Sequence, residues 1–199
     1  RTELTNALDK VFIRNIITNE EEELIFTDEK VYDPSVSLRQ KDRNTDEIYI
    51  SYSTPKTQNR TYLYNIKTKE KKLVKEQIIP SGHEPNDYIV ERLECPSHDG
   101  RVVPITITRH KNTPIDGSAE LLLYGYGSYG HSMSPTFSST RLSLIKRNII
   151  WATAHIRGGM ERGMKWWKEG KLLNKKNTFK DYIACAKFLI EKKYTRKKT

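Results

Sequence analysis

Leu121-Leu122-Leu123-Tyr124-Gly125-Tyr126-Gly127-Ser128-Tyr129-Gly130 is the stretch on which the fold turns. The apolar run predicts a strand, and the glycines and aromatics after it predict a loop at the strand's carboxyl end. Open α/β sheets bind ligands at that edge. The loop contains a G-x-G-x-x-G match at Gly125, Gly127 and Gly130. Three functions compete for it: cradling a phosphate, carrying a nucleophile, or stabilising an oxyanion formed on a group attacked from elsewhere.

Downstream, residues 139–147 carry Leu142, Leu144 and Ile145 and predict a helix. Residues 148–155 read as a buried strand, expected to end the sheet with an open edge, and open edges invite aggregation. Thr178 with Asp181 resembles a capping box with Asp in place of Glu or Gln. Phe179, Tyr182, Ile183, Ala186, Leu189 and Ile190 then follow helical spacing. Strand, helix, strand, helix argues for an α/β sheet. Upstream, residues 88–95 and 101–108 predict a hairpin around Asp99-Gly100. The Pro/Gly/polar cluster 80–87 is the best boundary, dividing 1–79 from 88–199. Residues 1–79 read as β: Ile48, Ile50 and Tyr52 alternate, as do residues 61–66 before the polar turn Lys67-Thr68-Lys69-Glu70 and Leu73-Val74. Leu24-Ile25-Phe26 reads as an earlier strand. Short strands at this spacing suggest a propeller blade or a sandwich.

The net charge of +10 is uneven, because residues 161–199 hold 13 Lys and Arg against 4 acids. These lysines alternate with helix-period apolar residues and lack an Arg/aromatic platform, so they read as a solvated helix face rather than a nucleic-acid surface. No apolar run approaches a membrane span. The chain opens Arg1-Thr2-Glu3, with no initiator Met and no apolar leader, and is expected to start inside a larger protein. Cys95 and Cys185 are too few and too far apart for a disulfide framework or a Cys-based zinc site, which points to a reduced, cytoplasmic setting.

A dinucleotide loop needs a helix opening at the glycines and an acid about 20 residues later. Here the glycines lead into His131-Ser132-Met133-Ser134-Pro135, and residues 121–160 contain no Asp or Glu. A nucleophile elbow needs G-x-S-x-G between strand and helix. Ser128 comes near, but position 126 is Tyr and the helix is missing. His83, His98, His110, His131 and His155 are isolated, with no metal-ligand spacing. Each reads as structural or solvated rather than as a base, and no metal or cofactor is expected.

Residues Leu123 through Gly130, then Ala154-His155-Ile156-Arg157-Gly158-Gly159, then Gly170-Lys171-Leu172-Leu173-Asn174-Lys175-Lys176-Asn177-Thr178-Phe179, resemble the prolyl oligopeptidase family of serine peptidases. The second and third motifs resemble its oligopeptidase B branch more than its prolyl branch. The resemblance continues through Tyr88-Ile89-Val90-Glu91-Arg92-Leu93 and runs from about Leu24 to Tyr194. It implies a fold of two parts: the C-terminal blades of a β-propeller in 1–79, and the N-terminal part of an α/β-hydrolase core in 88–199, with 80–87 as linker. The implied reaction is hydrolysis of short peptides after Lys or Arg by a Ser-Asp-His triad, without a metal.

By position, Tyr126 matches the tyrosine whose phenol donates to the oxyanion, and Tyr129 matches an aromatic position of the substrate pocket. Arg157 reads as a loop-bracing ion-pair residue, and Met160 stands where the family usually has Gly. In the family the nucleophile elbow follows the position of Tyr194, and the Asp and His lie further on. The resemblance therefore implies that these 199 residues alone lack the triad and are inactive. Two alternatives are a non-catalytic remnant or complementing subunit that pairs with a separate chain carrying the triad and, disfavoured by the missing acid, a nucleotide-binding domain. The implied partners are short basic peptides, with neither nucleic acid nor a membrane.

Overall fold

The computed structural model describes residues 1–25, 27–37 and 45–197. The chain forms two compact units. One contains Arg1–Glu3, Leu8–His83 and Pro135–Phe137; the other contains Leu4–Ala7, Glu84–Ser134 and Ser138–Thr199.

The first unit is built of short antiparallel strands. β1 (Thr2–Thr5), β2 (Leu8–Arg14) and β3 (Glu21–Glu23) make a sheet in that order. β4 (Asp33–Ser37), β5 (Glu47–Ser53), β6 (Arg60–Asn65) and β7 (Lys71–Glu76) make a second, also sequential. Pro34 lies on β4, an edge strand, where a missing backbone donor is tolerated. The alternation of β5 puts Ile50 and Tyr52 into a core with Val11, Leu24 and Tyr64.

Two hairpin turns share one device. In Asn65-Ile66-Lys67-Thr68-Lys69-Glu70 the Asn65 Oδ1 accepts from the amides of Lys67 (2.9 Å) and Thr68 (3.0 Å). In Asn15-Ile16-Ile17-Thr18-Asn19-Glu20 the Asn15 Oδ1 accepts from Ile17 (2.9 Å) and Thr18 (3.2 Å). The fifth residue of each, Lys69 or Asn19, is left-handed, at φ 62 and 60. The first of these turns was expected and the second was not, although both carry N-I-x-T-x-E.

The strand expected at Leu24-Ile25-Phe26 is displaced. The paired residues are Glu21–Glu23, with Phe12 opposite Glu23. Leu24 follows the strand and is buried, and its amide makes a last bond to the Val11 carbonyl (2.8 Å). Ile25 is 69% exposed, and Phe26 lies outside the described residues. Apolarity here marked a core contact, whereas the strand is set by backbone pairing beside a Lys10–Glu23 ion pair (2.9 Å).

The second unit holds β8 (Tyr88–Pro96), β9 (Val102–His110), β10 (Leu121–Tyr124), α1 (Ser139–Ile145), β11 (Ile150–Ala154), α2 (Met164–Lys168) and α3 (Lys176–Glu191). Its sheet order is β10-β11-β9-β8. β8 and β9 form the hairpin expected around Asp99-Gly100. The α1 crossover makes β10 and β11 parallel, with Leu121 opposite Ile150, while β11 runs antiparallel to β9. Residues 148–155 are therefore not the open edge; β11 is interior and β10 is the edge. Ile150, Ala152 and Ala154 are buried accordingly, whereas Leu122 and Tyr124 on β10 are exposed. Val103, Ile105 and Ile107 of β9 pack with these residues and with Cys185 and Leu189 of α3. Among the described residues, none of the three sheets closes on itself.

Helix α3 is turned relative to the expected stripe. Its buried positions are Thr178, Asp181, Cys185 and Leu189, while Phe179, Ile183 and Ile190 are exposed. Thr178 does not cap the helix, which begins before it; both Thr178 and Asp181 bond outward to the loop that follows β11. Among the described residues, no helix is long and apolar enough to cross a membrane.

Candidate active site

The loop after β10 leaves the sheet without entering a helix, since residues 125–138 are irregular up to the start of α1. The glycines thus offer no helix N-terminus to a phosphate, and Ser128 sits on no elbow. Instead the loop brings Tyr126 and Tyr129 to one open depression of about 700 Å³, lined also by Tyr124, Gly130, His131 and Met133. Tyr126 is 44% exposed. Its ring stands edge-on to the His131 ring (5.6 Å, 89°), and its hydroxyl makes no hydrogen bond among the described residues. Tyr129 is 90% exposed and left-handed at φ 56, a conformation that costs a non-glycine residue about 1–2 kcal/mol.

The loop's backbone is held from behind. Gly127 is left-handed (φ 59), and a Cβ there would meet the Thr178 methyl at 2.6 Å and Ile156 Cγ1 at 2.7 Å. The Gly130 amide donates to the Gly158 carbonyl (2.9 Å), and the His131 amide to the Ser128 carbonyl (3.0 Å). Lys175 Nζ donates to the Gly127 carbonyl (2.5 Å) and to Ser128 Oγ (2.8 Å). Burial holds the Lys175 ammonium below its ordinary pKa. Ser128 Oγ thus has a lysine rather than a histidine for a partner.

The loop after β11 carries the strongest charge cluster. Arg157 is 1% exposed. Its amide (3.1 Å) and Nε (2.8 Å) donate to Asp181 Oδ2, and one terminal nitrogen donates to Asp181 Oδ1 (2.6 Å). The other terminal nitrogen donates to Asp99 Oδ2 (2.6 Å), on the β8–β9 turn. Ser97 Oγ adds a bond to Asp181 Oδ1 (2.5 Å). Burial opposes the guanidinium charge, but the bonds to Asp181 and Asp99 outweigh it and raise the Arg157 pKa. The Arg157 bond, in turn, holds the Asp99 carboxyl below its ordinary range. Thr178 Oγ1 donates to the Arg157 carbonyl (2.8 Å). Gly158 follows at φ 101, where a Cβ would land on the Gly127 carbonyl.

Arg157 is thus a loop brace. His155, also 1% exposed, faces Thr106 Oγ1 and Arg92 (both 2.9 Å) through Nε2. Burial, then Arg92, depress its pKa well below the ordinary value, so it is a neutral core residue. Glu161 lies beside it and is pushed up by burial; its Oε1 accepts from the Met133 amide (3.1 Å).

Sequence reasoning placed Tyr126, Tyr129 and Arg157 but missed Lys175, Asp181 and Asp99 as members of this frame. Lys175 was grouped with a solvated basic face, to which Lys176, Lys180 and Lys187 do belong as exposed residues. The signal that could have separated it is its place immediately before α3, outside the helix-facing pattern.

Residues 135–199 match the family described as the prolyl oligopeptidase family. Dipeptidyl aminopeptidase BI of Pseudoxanthomonas mexicana is 39% identical over 98% of this chain and 27% of its own length. Protease 2 of Moraxella lacunata is 35% identical over 96% of this chain and 27% of its length. The structure of oligopeptidase B from Leishmania major superposes with a TM-score of 0.83 at 30% identity, covering 95% of this chain and 28% of that one. The chain thus spans about a quarter of the length of the curated relatives it matches.

Proposed function

Because this chain belongs to the prolyl oligopeptidase family, we propose that it supplies the oxyanion-binding part of a serine oligopeptidase. In this reading residues 1–79 are the last blades of the propeller, 80–87 the linker, and 88–199 the first part of the hydrolase core. The observation that carries it is Tyr126: a hydroxyl without a hydrogen-bond partner among the described residues, in an open depression at the carboxyl end of β10, on a backbone braced by Lys175 and Gly158. Attack on a peptide carbonyl places negative charge on its oxygen. A preorganised donor there stabilises the transition state by about 3–4 kcal/mol. Tyr129 stands beside it as an exposed aromatic wall for a substrate side chain. Cleavage after Lys or Arg rests on the likeness of residues 154–159 and 174–179 to the oligopeptidase B branch alone; the described lining of the depression carries no acid that would pair with a basic side chain.

Two measurements test the reading. The 199 residues alone are expected to leave a fluorophosphonate probe and an Arg-amide substrate untouched; specific labelling of Ser128 with turnover would refute this. In the active peptidase that carries these residues, Tyr126→Phe is expected to lower kcat about 100- to 1,000-fold with KM little changed. An unchanged kcat removes Tyr126 from the mechanism.

A further inference from the structure

We propose that Lys175 is a positioning residue that locks the Tyr126 loop in its working conformation through the Gly127 carbonyl and the Ser128 hydroxyl. The proposal rests on the oxyanion reading of Tyr126 for its catalytic consequence, but not for the tether itself. Lys175 sits at the residue before α3 and makes no side-chain cap to that helix. Among the described residues it has no carboxylate partner; its charge is spent on the Gly127 carbonyl (2.5 Å) and on Ser128 Oγ (2.8 Å). Bonds from an ammonium to neutral acceptors are charge-assisted and short. They fix the peptide that immediately follows Tyr126 and Gly127, on a loop whose exposed side chains give it little packing of its own. Gly158 also lies close against that carbonyl, where a Cβ would land on it, so the peptide is held by both a donor and a close backbone contact. The lysine is thereby drawn out of an otherwise exposed basic face. A misplacement of about 1 Å in a catalytic group costs about 100-fold in rate, so a tether one residue from the donor acts on kcat.

Hydrogen exchange on the 199-residue chain tests the tether directly. In Lys175→Met the Gly130 and His131 amides should exchange about tenfold faster or more, while the amides of the last two turns of α3 keep their rates. Lys175→Arg should lie between Met and wild type, and Lys175→Gln stands in should the Met variant not fold. Wild-type exchange at Gly130 and His131 in a folded Met or Gln variant overturns the proposal. In the active peptidase that carries these residues, Lys175→Met should lower kcat about tenfold or more, with KM within about twofold. It should cause no further loss in a Tyr126→Phe background. An equal loss in both backgrounds overturns positioning through Tyr126. If Tyr126→Phe alone is silent, the oxyanion reading falls, whereas the exchange result still decides the tether.

Discussion

The loops that leave β10 and β11 start from adjacent parallel strands and are built in opposite ways. Tyr124 ends β10 and Tyr126 and Tyr129 follow it in the loop, exposed by 38, 44 and 90%. After β11, residues 155–159 are all buried, and Arg157 reaches two carboxylates from two other elements. The first loop presents side chains and borrows its rigidity; the second hides its side chains and lends rigidity. Gly158 is where they meet, accepting from Gly130 and packing on Gly127. An exposed aromatic can be aimed only when the backbone beneath it is fixed by something else. Here the β11 loop and Lys175 supply that fixation.

The division of labour can be broken most severely at Asp181. Asp181→Ala leaves the buried Arg157 with the partly exposed Asp99 and, at 4.0 Å, Glu169. Removing one member of a buried pair costs about 3–5 kcal/mol. Urea denaturation of the chain should show that loss. A loss below about 1 kcal/mol would mean that the cluster is solvated, as surface pairs are. Gly158→Ala comes next: its positive φ and the collision with the Gly127 carbonyl together cost about 2–4 kcal/mol. It should also speed exchange at the Gly130 amide, whose acceptor moves. A stable variant with protected Gly130 would separate the two loops.

The sequence made one of these loops far more legible than the other. The loop after β10 was legible because glycines and aromatics after an apolar run are a local pattern, whereas Tyr126 and Tyr129 were singled out within it only by the family resemblance. Strands β5, β6, β8, β9, β10 and β11 were found for the same kind of reason. Asp181 was misread as a cap because its partner Arg157 lies 24 residues away, and no local signal distinguishes a buried Asp from a capping one. The same substitution of tertiary for local cause rotated the buried stripe of α3 onto Thr178, Asp181, Cys185 and Leu189. β3 escaped notice because three glutamates do not look like a strand. The interior place of β11 follows from the crossover, which no single segment encodes.

Two smaller effects sharpen the contrast. Tyr126→Phe should change stability by no more than about 0.5 kcal/mol, because the hydroxyl has no hydrogen-bond partner among the described residues to lose. A larger loss in thermal unfolding would show that Tyr126 is part of the frame after all. The smallest effect concerns Asp99. Its folded pKa lies below the unfolded value, so its contribution is present above about pH 4 and is lost as pH falls through the folded value. Asp99→Asn should therefore flatten the acid limb of the stability curve and leave its shape unchanged above about pH 6. An acid limb identical to wild type would place the Arg157 charge entirely on Asp181.

The paired turns of the first unit carry a different consequence. Asn15 through Glu20 and Asn65 through Glu70 close with their own atoms, Asn side chain to amides and Thr hydroxyl to Glu. Such a segment behaves as an interchangeable part. Lys67 and Lys69 add exposed ion pairs to Asp46 and Glu22 outside the turn, but the closure itself lies within the six residues, so exchanging them between the two sites should leave both hairpins intact. Architecture assembled from such parts can grow by copying. The backbone at the carboxyl ends of β10 and β11 has no such freedom, since Gly127, Gly130 and Arg157 are each held by a partner on another element.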